Sequence, residues 1–285
     1  MKIALLTCQN WPNAKEKEQA LAKEINPKID VDVVVWNDVS VNWAEYDYLI
    51  FRSIWDYFEF PTEFNDWLNK IERLKIRTLN PLNVIRQNQH KFYLQTLQDQ
   101  GFGIIPTIFI EKNTDLNLGI LNQNGWSKAV IKPAISAGSY LTTLFGIAEI
   151  ETVSAQYASI VAERDLLLQP FMPEIQTQGE ISMLFYGGQY SHAILKKPVQ
   201  NDFRVQAQFG GVAVLYQPSN DVIETAEKII AAFGQDLLYA RVDGIMSGSR
   251  FLLMEVELIE PDLFFDYHSE AKKRYLTALE RMVEI

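Results

Sequence analysis

Residues 239–261 read YARVDGIMSGSRFLLMEVELIEP. Ser247-Gly248-Ser249 separates two apolar-rich runs, 238–245 and 251–258, and marks a β-hairpin. In a strand, residues two apart share a face. Ala240, Val242, Leu252, Met254, Val256 and Leu258 then make one oily face, and Arg241, Asp243, Glu255 and Glu257 lie on the other. With the turn centred near Ser249, Asp243 lies opposite Glu255 and Arg241 opposite Glu257, about 5 Å apart at Cβ. Three carboxylates around one arginine repel each other unless more positive charge intervenes. Magnesium is a natural complement, because it takes hard oxygen ligands and is often held by one or two carboxylates plus substrate phosphates. The pattern also fits a solvated face of an edge hairpin, so the rest of the chain must decide.

Upstream, strand-like and helix-like patterns alternate. Residues 2–7 and 31–36, 46–53 and 77–79 read as strands, and 14–24 and 61–74 as helices, the first with Pro12 at its first turn. This order implies βαβ units, a parallel sheet and an α/β fold class. Ligands of such sheets gather at the carboxyl ends of the strands, where Arg52, Ser53, Trp55, Asp56 and Tyr57 stand as candidate substrate residues. Further on, 84–98 reads as a helix closed by Gly101, 104–110 and 128–132 as strands, 152–163 as a helix and 166–171 as a strand. Residues 181–186 and 190–195 flank Gly187-Gly188 as a hairpin, and 222–233 and 269–282 are helical. Boundaries near residues 85 and 168 divide the chain into 1–84, 85–168 and 169–285.

Lys132 ends an apolar strand and precedes a loop of small residues that includes Ser136, Gly138 and Ser139. Such a loop lets backbone N–H groups approach phosphate oxygens, and the lysine supplies a point charge. No GxxxxGK[ST] motif occurs, so a P-loop is not indicated. Lys91 follows Asn88-Gln89-His90 in a helical pattern, and Lys196 shares a strand face with His192 and Ile194. Pro170, within Gln169-Pro170-Phe171-Met172, has no N–H for a ladder. Backbone freed there could bind a flat heterocycle, with Phe171 and Met172 as apolar contacts. Glu180, after Gln178-Gly179, could accept from ribose hydroxyls. A surface lysine, a plain hinge and an exposed acid are the alternative readings of these features.

The 285 residues are 48% hydrophobic, 12% aromatic and 22% charged, with a formal net charge of −10. That composition is globular, and the acidic balance disfavours nucleic-acid binding. Cys8 is the only cysteine, so no internal disulfide can form. No run approaches the ~18 apolar residues of a membrane span. The expected setting is cytoplasmic, with no membrane partner.

The order of these pieces resembles the ATP-grasp superfamily over about residues 80–265. It runs helix lysine, strand lysine, small-residue loop, Q-P-F hinge, G-E, lysine-proline, D-F-R-x-Q, then D…E-x-E. From Leu166 onward the chain is similar to glutathione synthetase. The segments RSIWDYF, NP…K and HAILKKPVQNDFRVQAQFGG resemble the group containing the cycloserine-forming cyclo-ligase that acts on O-ureido-D-serine. The resemblance implies an ATP-grasp fold. Residues 1–84 would be an N-terminal Rossmann-like domain, 85–168 a small lid subdomain and 169–285 a C-terminal subdomain. It implies that Lys91, Lys132 and Lys196 hold ATP phosphates, with Ser136, Gly138 and Ser139 in the phosphate loop. Gln169, Phe171 and Met172 would line the adenine site, Glu180 would bind ribose, and Asp243, Glu255 and Glu257 would hold magnesium. Arg204 would stabilise the transferred charge or the bound acyl group, and so count among the substrate residues, catalysis falling to Arg204, Lys132 and Lys196. The chain departs from the pattern at Glu257, where relatives carry asparagine, and at Asn201, where they carry glycine. Loop 134–139 has one glycine, fewer than in many relatives.

The implied chemistry is ATP-dependent ligation of small carboxylate and amine substrates through an acyl phosphate. A kinase and a nucleotide-binding module without turnover are the competing readings. Relatives are commonly dimers or tetramers, so a homodimer or homotetramer is expected.

Overall fold

The computed structural model describes residues 1–199, 204–205, 210–234 and 236–284. Asn201, Asp202 and Phe203 of the D-F-R segment lie outside the described residues.

Strands β1 (Lys2–Thr7), β2 (Asp30–Val35), β3 (Tyr48–Ser53) and β4 (Arg77–Leu79) form a parallel sheet in the order β2-β1-β3-β4. The two central strands are buried almost throughout, which is why they read as unbroken apolar runs. Helix α1 (Glu16–Glu24) starts later than the residue 14 expected. Turns from Trp11 N to Cys8 O and from Ala14 N to Trp11 O occupy the preceding segment, and Pro12 lies among them. Helix α2 (Pro61–Leu74) starts at its proline and buries Phe64, Trp67, Leu68 and Ile71 against Trp36, Trp43 and Phe51.

The expected helix over 84–98 is two helices, α3 (Leu82–Asn88) and α4 (Tyr93–Asp99). The break follows from a tertiary bond: Lys91 N–H donates to Ala134 O at 2.9 Å instead of continuing the helix. A second sheet, antiparallel, contains β5 (Ile108–Ile110), β6 (Lys128–Pro133), β7 (Thr143–Gly146) and β8 (Leu166–Pro170) in the order β5-β8-β6-β7. Strand β5 is shorter than the 104–110 expected, because Ile105 N–H donates to Leu253 O of the next sheet and Pro106 follows. Short α5 (Ile120–Gln123) and long α6 (Ile150–Glu163) cover one face, packing Val153, Tyr157 and Val161 on Ala129, Ile131 and Phe145. Strand β8 runs two residues past the boundary expected at 168.

Beyond short α7 (Glu174–Thr177) comes a third, antiparallel sheet. Its strands are β9 (Glu180–Tyr186), β10 (Gln189–Lys197), β11 (Val212–Tyr216), β12 (Tyr239–Ser247) and β13 (Arg250–Glu257), in the order β11-β10-β9-β12-β13. Helix α8 (Asn220–Ala231) packs Val222, Ala226 and Ile229 on one face together with Tyr93, Leu94 and Leu97. So α3 and α4 share the core of this sheet rather than that of the second. Helix α9 (Ala271–Met282) closes the other face, where Tyr275 and Leu279 share a core with Ile3 and Ile50 of the first sheet. No helix among the described residues is long and apolar enough to cross a membrane.

Edge strand β13 is capped by side chains. Asn88 donates to Val256 O at 2.8 Å and accepts from Leu258 N–H at 2.9 Å. The Tyr93 hydroxyl accepts from Val256 N–H at 2.8 Å, and Asn80 donates to Leu258 O at 2.8 Å. These polar groups satisfy an edge that would otherwise present unpaired backbone.

Candidate active site

The hairpin register pairs Arg241 with Glu257 and Asp243 with Glu255. It arrives there by a route the binary pattern did not show. Ser247 pairs with Arg250 across a two-residue turn, and the register then shifts by one between Asp243 and Gly244. Met254 is the extra residue of this bulge. Consequently Leu253 and Phe251 face the core, while Leu252 and Met254 lie on the side of Ile245. The expectation that Leu252 and Met254 share the oily face with Val256 is therefore corrected: a bulge turns the strand over at that point. A side chain at Gly244 would collide with the Phe251 ring and come within 2.5 Å of Leu252 O, so only glycine fits against the bulge. The result is one continuous surface, apolar at Leu252 and Met254 and acidic at Glu255 and Glu257.

The acids are held by cations. Arg241 binds Asp243 at 2.9 Å and also Glu257. Asp243 further accepts from Ser182 Oγ at 2.5 Å and lies 3.5 Å from Lys196 Nζ. Burial works against the Asp243 charge, but Arg241 and Lys196 outweigh it and hold its pKa at about 2. Lys196 is opposite Glu180 in the ladder and contacts it at 2.5 Å. Burial opposes its charge as well, and Asp243 and Glu180 keep its pKa above the ordinary value. A Cβ at Gly179 would approach Lys196 O to 2.8 Å, so glycine permits this closeness of the two strands. Lys91 reaches Glu255 at 3.0 Å and donates to Ser136 O at 2.5 Å.

Lys132 brings the second sheet to the third. Burial lowers its pKa, Glu255 and Glu180 pull it up, and Lys91 pushes it down. These groups therefore share one low-dielectric space. Glu257 is less well compensated: burial pushes its pKa up to about 7, Arg241 opposing and Asp243 and Glu255 adding to the rise. Glu260, which the sequence reading passed over, belongs to the same field. Burial first, then Glu257, drives its carboxyl well above the ordinary range, against Lys91. Its position three residues beyond Glu257 and before Pro261 was the available signal.

Loop 134–142 closes over this space. Ser136 is buried, and Gly138 and Ser139 both have left-handed backbone, at φ 58° and 64°. Tyr140 packs against Phe58 of the first domain, ring centroids 5.1 Å apart. Gln169 is buried and donates to Thr107 Oγ1 at 2.9 Å. The hinge backbone is not free as expected, since Pro170 pairs with Ala129 and Phe171 N–H donates to Lys128 O at 3.0 Å. Met172 instead joins Ile105, Ile175, Val205, Ile245, Leu252 and Met254 in an apolar cluster. Arg204 is half-buried beside Val205.

The first-domain candidates separate into two groups. Arg52 is 2% exposed and holds Glu18 of α1 through two bonds of 2.8 and 3.0 Å, leaving it no face for a ligand. Asp56 accepts from Trp36 Nε1 at 2.7 Å, and Ser53 is fully buried. These three are taken up by the fold. Tyr57 and Trp55 lie nearer the acids: burial and the charges of Glu260, Glu255 and Glu257 raise the Tyr57 hydroxyl well above its ordinary pKa, and Trp55 Nε1 donates to the Glu260 backbone carbonyl at 3.1 Å.

Comparison with known proteins covers the whole of this arrangement. Residues 3–80 match the family model described as D-cycloserine synthetase DcsG, N-terminal domain. The cycloserine biosynthesis protein DcsG of Streptomyces lavendulae is 25% identical over 268 residues, 88% of each chain. The crystal structure of D-cycloserine synthetase DcsG matches with a TM-score of 0.87 at 24% identity, covering 99% of this chain and 100% of that one. The chain has the fold of the ATP-grasp ligases and is similar to DcsG along most of its length. The ATP-grasp ligase PsnB, solved with a phosphomimetic variant of its minimal precursor, Mg and ADP, matches at TM-score 0.68 and 10% identity, over 98% of both chains. At such low identity the PsnB match carries the fold alone.

Proposed function

We propose that the chain is an ATP-dependent ligase for a small amino-acid-type substrate, working through an acyl phosphate or its equivalent. One observation carries the reading. Lys91 pairs with Glu255, Lys196 pairs with Glu180 and Asp243, and Lys132 acts electrostatically on the same Glu255 and Glu180. The apolar cluster at Met254, next to Glu255 in the chain, would suit a base, with Met172, Leu252 and Met254 against its ring and Phe171 and Gln169 at its edge. Lys132, Lys91 and the 136–139 loop suit the phosphates, and Glu180 suits the ribose. Lys196, bound to Glu180 and Asp243, would move to phosphate when nucleotide enters.

A triphosphate in this cleft would face Glu255 and Glu257. A divalent cation between them makes the two compatible, and the raised pKa of Glu257 marks the negative charge left over for it. Among the described residues no group of three or more His, Cys, Asp or Glu side chains could hold a metal by itself. Magnesium does not need one, since one or two carboxylates and phosphates suffice. Glu255 and Glu257, two apart on one face, would hold it, with Asp243 joining when Lys196 leaves. When bound, the cation would neutralise charge on the transferring phosphoryl group.

In the reaction, a carboxylate oxygen of the substrate attacks the γ-phosphorus, the bond to ADP breaks, and an amine then displaces phosphate. Arg204, Lys132 and Lys196 would stabilise the charge that develops. Trp55 and Tyr57 would border the substrate. The resemblance to the cycloserine-forming group puts O-ureido-D-serine at the head of the panel to be tried, with D-serine and D-alanine beside it. Incubation with ATP, magnesium, hydroxylamine and each acid should release ADP and give a hydroxamate. ADP release without hydroxamate would point to a kinase. No stimulated ADP release with any acid and amine would contradict the ligase reading.

A further inference from the structure

The rim of the cleft holds a cation that the chemistry above leaves unused. Lys15 is exposed at the start of α1, with its Nζ 4.8 Å from the ring centroid of Trp11 and 4.2 Å from that of Trp55. Ring faces attract an ammonium without cancelling its charge. A carboxylate partner would cancel it, and among the described residues none lies within ion-pair distance of Lys15. The neighbouring charges are spent elsewhere: Lys17 pairs with Asp266, and Glu18 with Arg52.

The two rings are placed deliberately by the fold. Trp11 stands on the loop after β1 and Trp55 on the loop after β3. These are the carboxyl ends of adjacent parallel strands, where this kind of sheet presents ligands. The Trp55 indole N–H then binds Glu260 O, which fixes the ring and connects it to the acid end of the cleft. Trp11 remains 45% exposed. The guanidinium best placed by sequence to receive a substrate carboxylate, Arg52, is buried against Glu18. Lys15 is a cation on this wall that has no carboxylate partner among the described residues.

We propose that Lys15, held between Trp11 and Trp55, anchors the free carboxylate of an amino-acid-type substrate that does not itself react. This rests on the ligase reading and adds a requirement to it: the substrate carries a spectator carboxylate in addition to the group that is activated or attacked.

The test is calorimetric titration of the full chain, loaded with magnesium and a non-hydrolysable ATP analogue, with alanine and serine of both hands and with their methyl esters. At least one free acid should bind, and its ester should bind about tenfold or more weakly, as expected for loss of a charge-assisted contact. Lys15→Met should weaken the acid about tenfold or more and leave the ester and the nucleotide analogue unchanged, and Lys15→Arg should restore most of the acid affinity. Equal binding of acid and ester by the native chain would overturn the proposal. So would an undiminished acid affinity in Lys15→Met, or tight nucleotide binding with no acid bound at millimolar concentration. Failure of the nucleotide analogue itself to bind would instead overturn the ligase reading, and the anchor with it.

Discussion

Replacing Asn88 by alanine tests how the acidic strand is held. Asn88 is 8% exposed and makes two bonds to the outer edge of β13, to Val256 O at 2.8 Å and from Leu258 N–H at 2.9 Å. After the substitution Val256 O still has the Tyr93 hydroxyl at 3.1 Å. Leu258 N–H has lost its acceptor and sits in a dry interior. Two net hydrogen bonds at about 1 kcal/mol each, plus an orphaned buried donor at about 1–3 kcal/mol, give a loss of about 3–5 kcal/mol. Urea denaturation of the ligand-free variant measures it. The strand carrying Glu255 and Glu257 also loses its clamp, so magnesium–nucleotide affinity, measured by titration of a fluorescent ATP analogue, should fall. A stability loss under about 0.5 kcal/mol, the range of an ordinary surface change, with nucleotide affinity intact, would refute the reasoning.

Glu255→Gln should lower kcat by two to three orders of magnitude, the usual scale for losing a group that stabilises transition-state charge, with an unchanged circular dichroism spectrum. Near-normal turnover at limiting magnesium would count against the metal assignment. Glu257 has an ordinary value of 4.5 and about 7 in the folded chain. Between those values the ligand-free fold holds a proton that an incoming cation must expel. Magnesium–nucleotide affinity should therefore rise as pH increases toward about 7 and flatten above it, and Glu257→Gln should remove the slope. By the same sign, the ligand-free chain loses the corresponding stability as pH rises from 4.5 through about 7. Glu18→Ala strands the Arg52 guanidinium in the core and should cost about 3–5 kcal/mol in denaturation. A variant of native stability with an altered KM would instead make Arg52 a substrate ligand.

Much of this molecule was legible in order and periodicity. The β12–β13 pairs Arg241–Glu257 and Asp243–Glu255 came out of a turn centred near Ser249, because the two-residue turn at 248–249 and the later bulge offset each other. Helix α2 and strand β4 came out at their observed ends, since Pro61 and the Asn80-Pro81 pair punctuate them. The bulge at Met254 was not legible, as a one-residue slip leaves both faces apolar enough to read either way. Nor was the break at Lys91, because a helical pattern continues through it and only the distant Ala134 carbonyl interrupts it. Arg52 looked like a ligand residue because a strand end says where a side chain is, not what it meets; its partner Glu18 lies 34 positions away. Lys15 was passed over for the same reason. A lysine in a helical segment carries no sign of the two rings that hold it.

The central claim is that strand-end lysines and hairpin acids surround a single nucleotide. A crystal structure of the chain with a non-hydrolysable ATP analogue and manganese tests it most directly. The account predicts anomalous density bridging Glu255 and Glu257 to the phosphates, with Lys132 and Lys196 on the same phosphates and the base against Met172 and Met254. A nucleotide bound elsewhere, or metal density away from both glutamates, would contradict it.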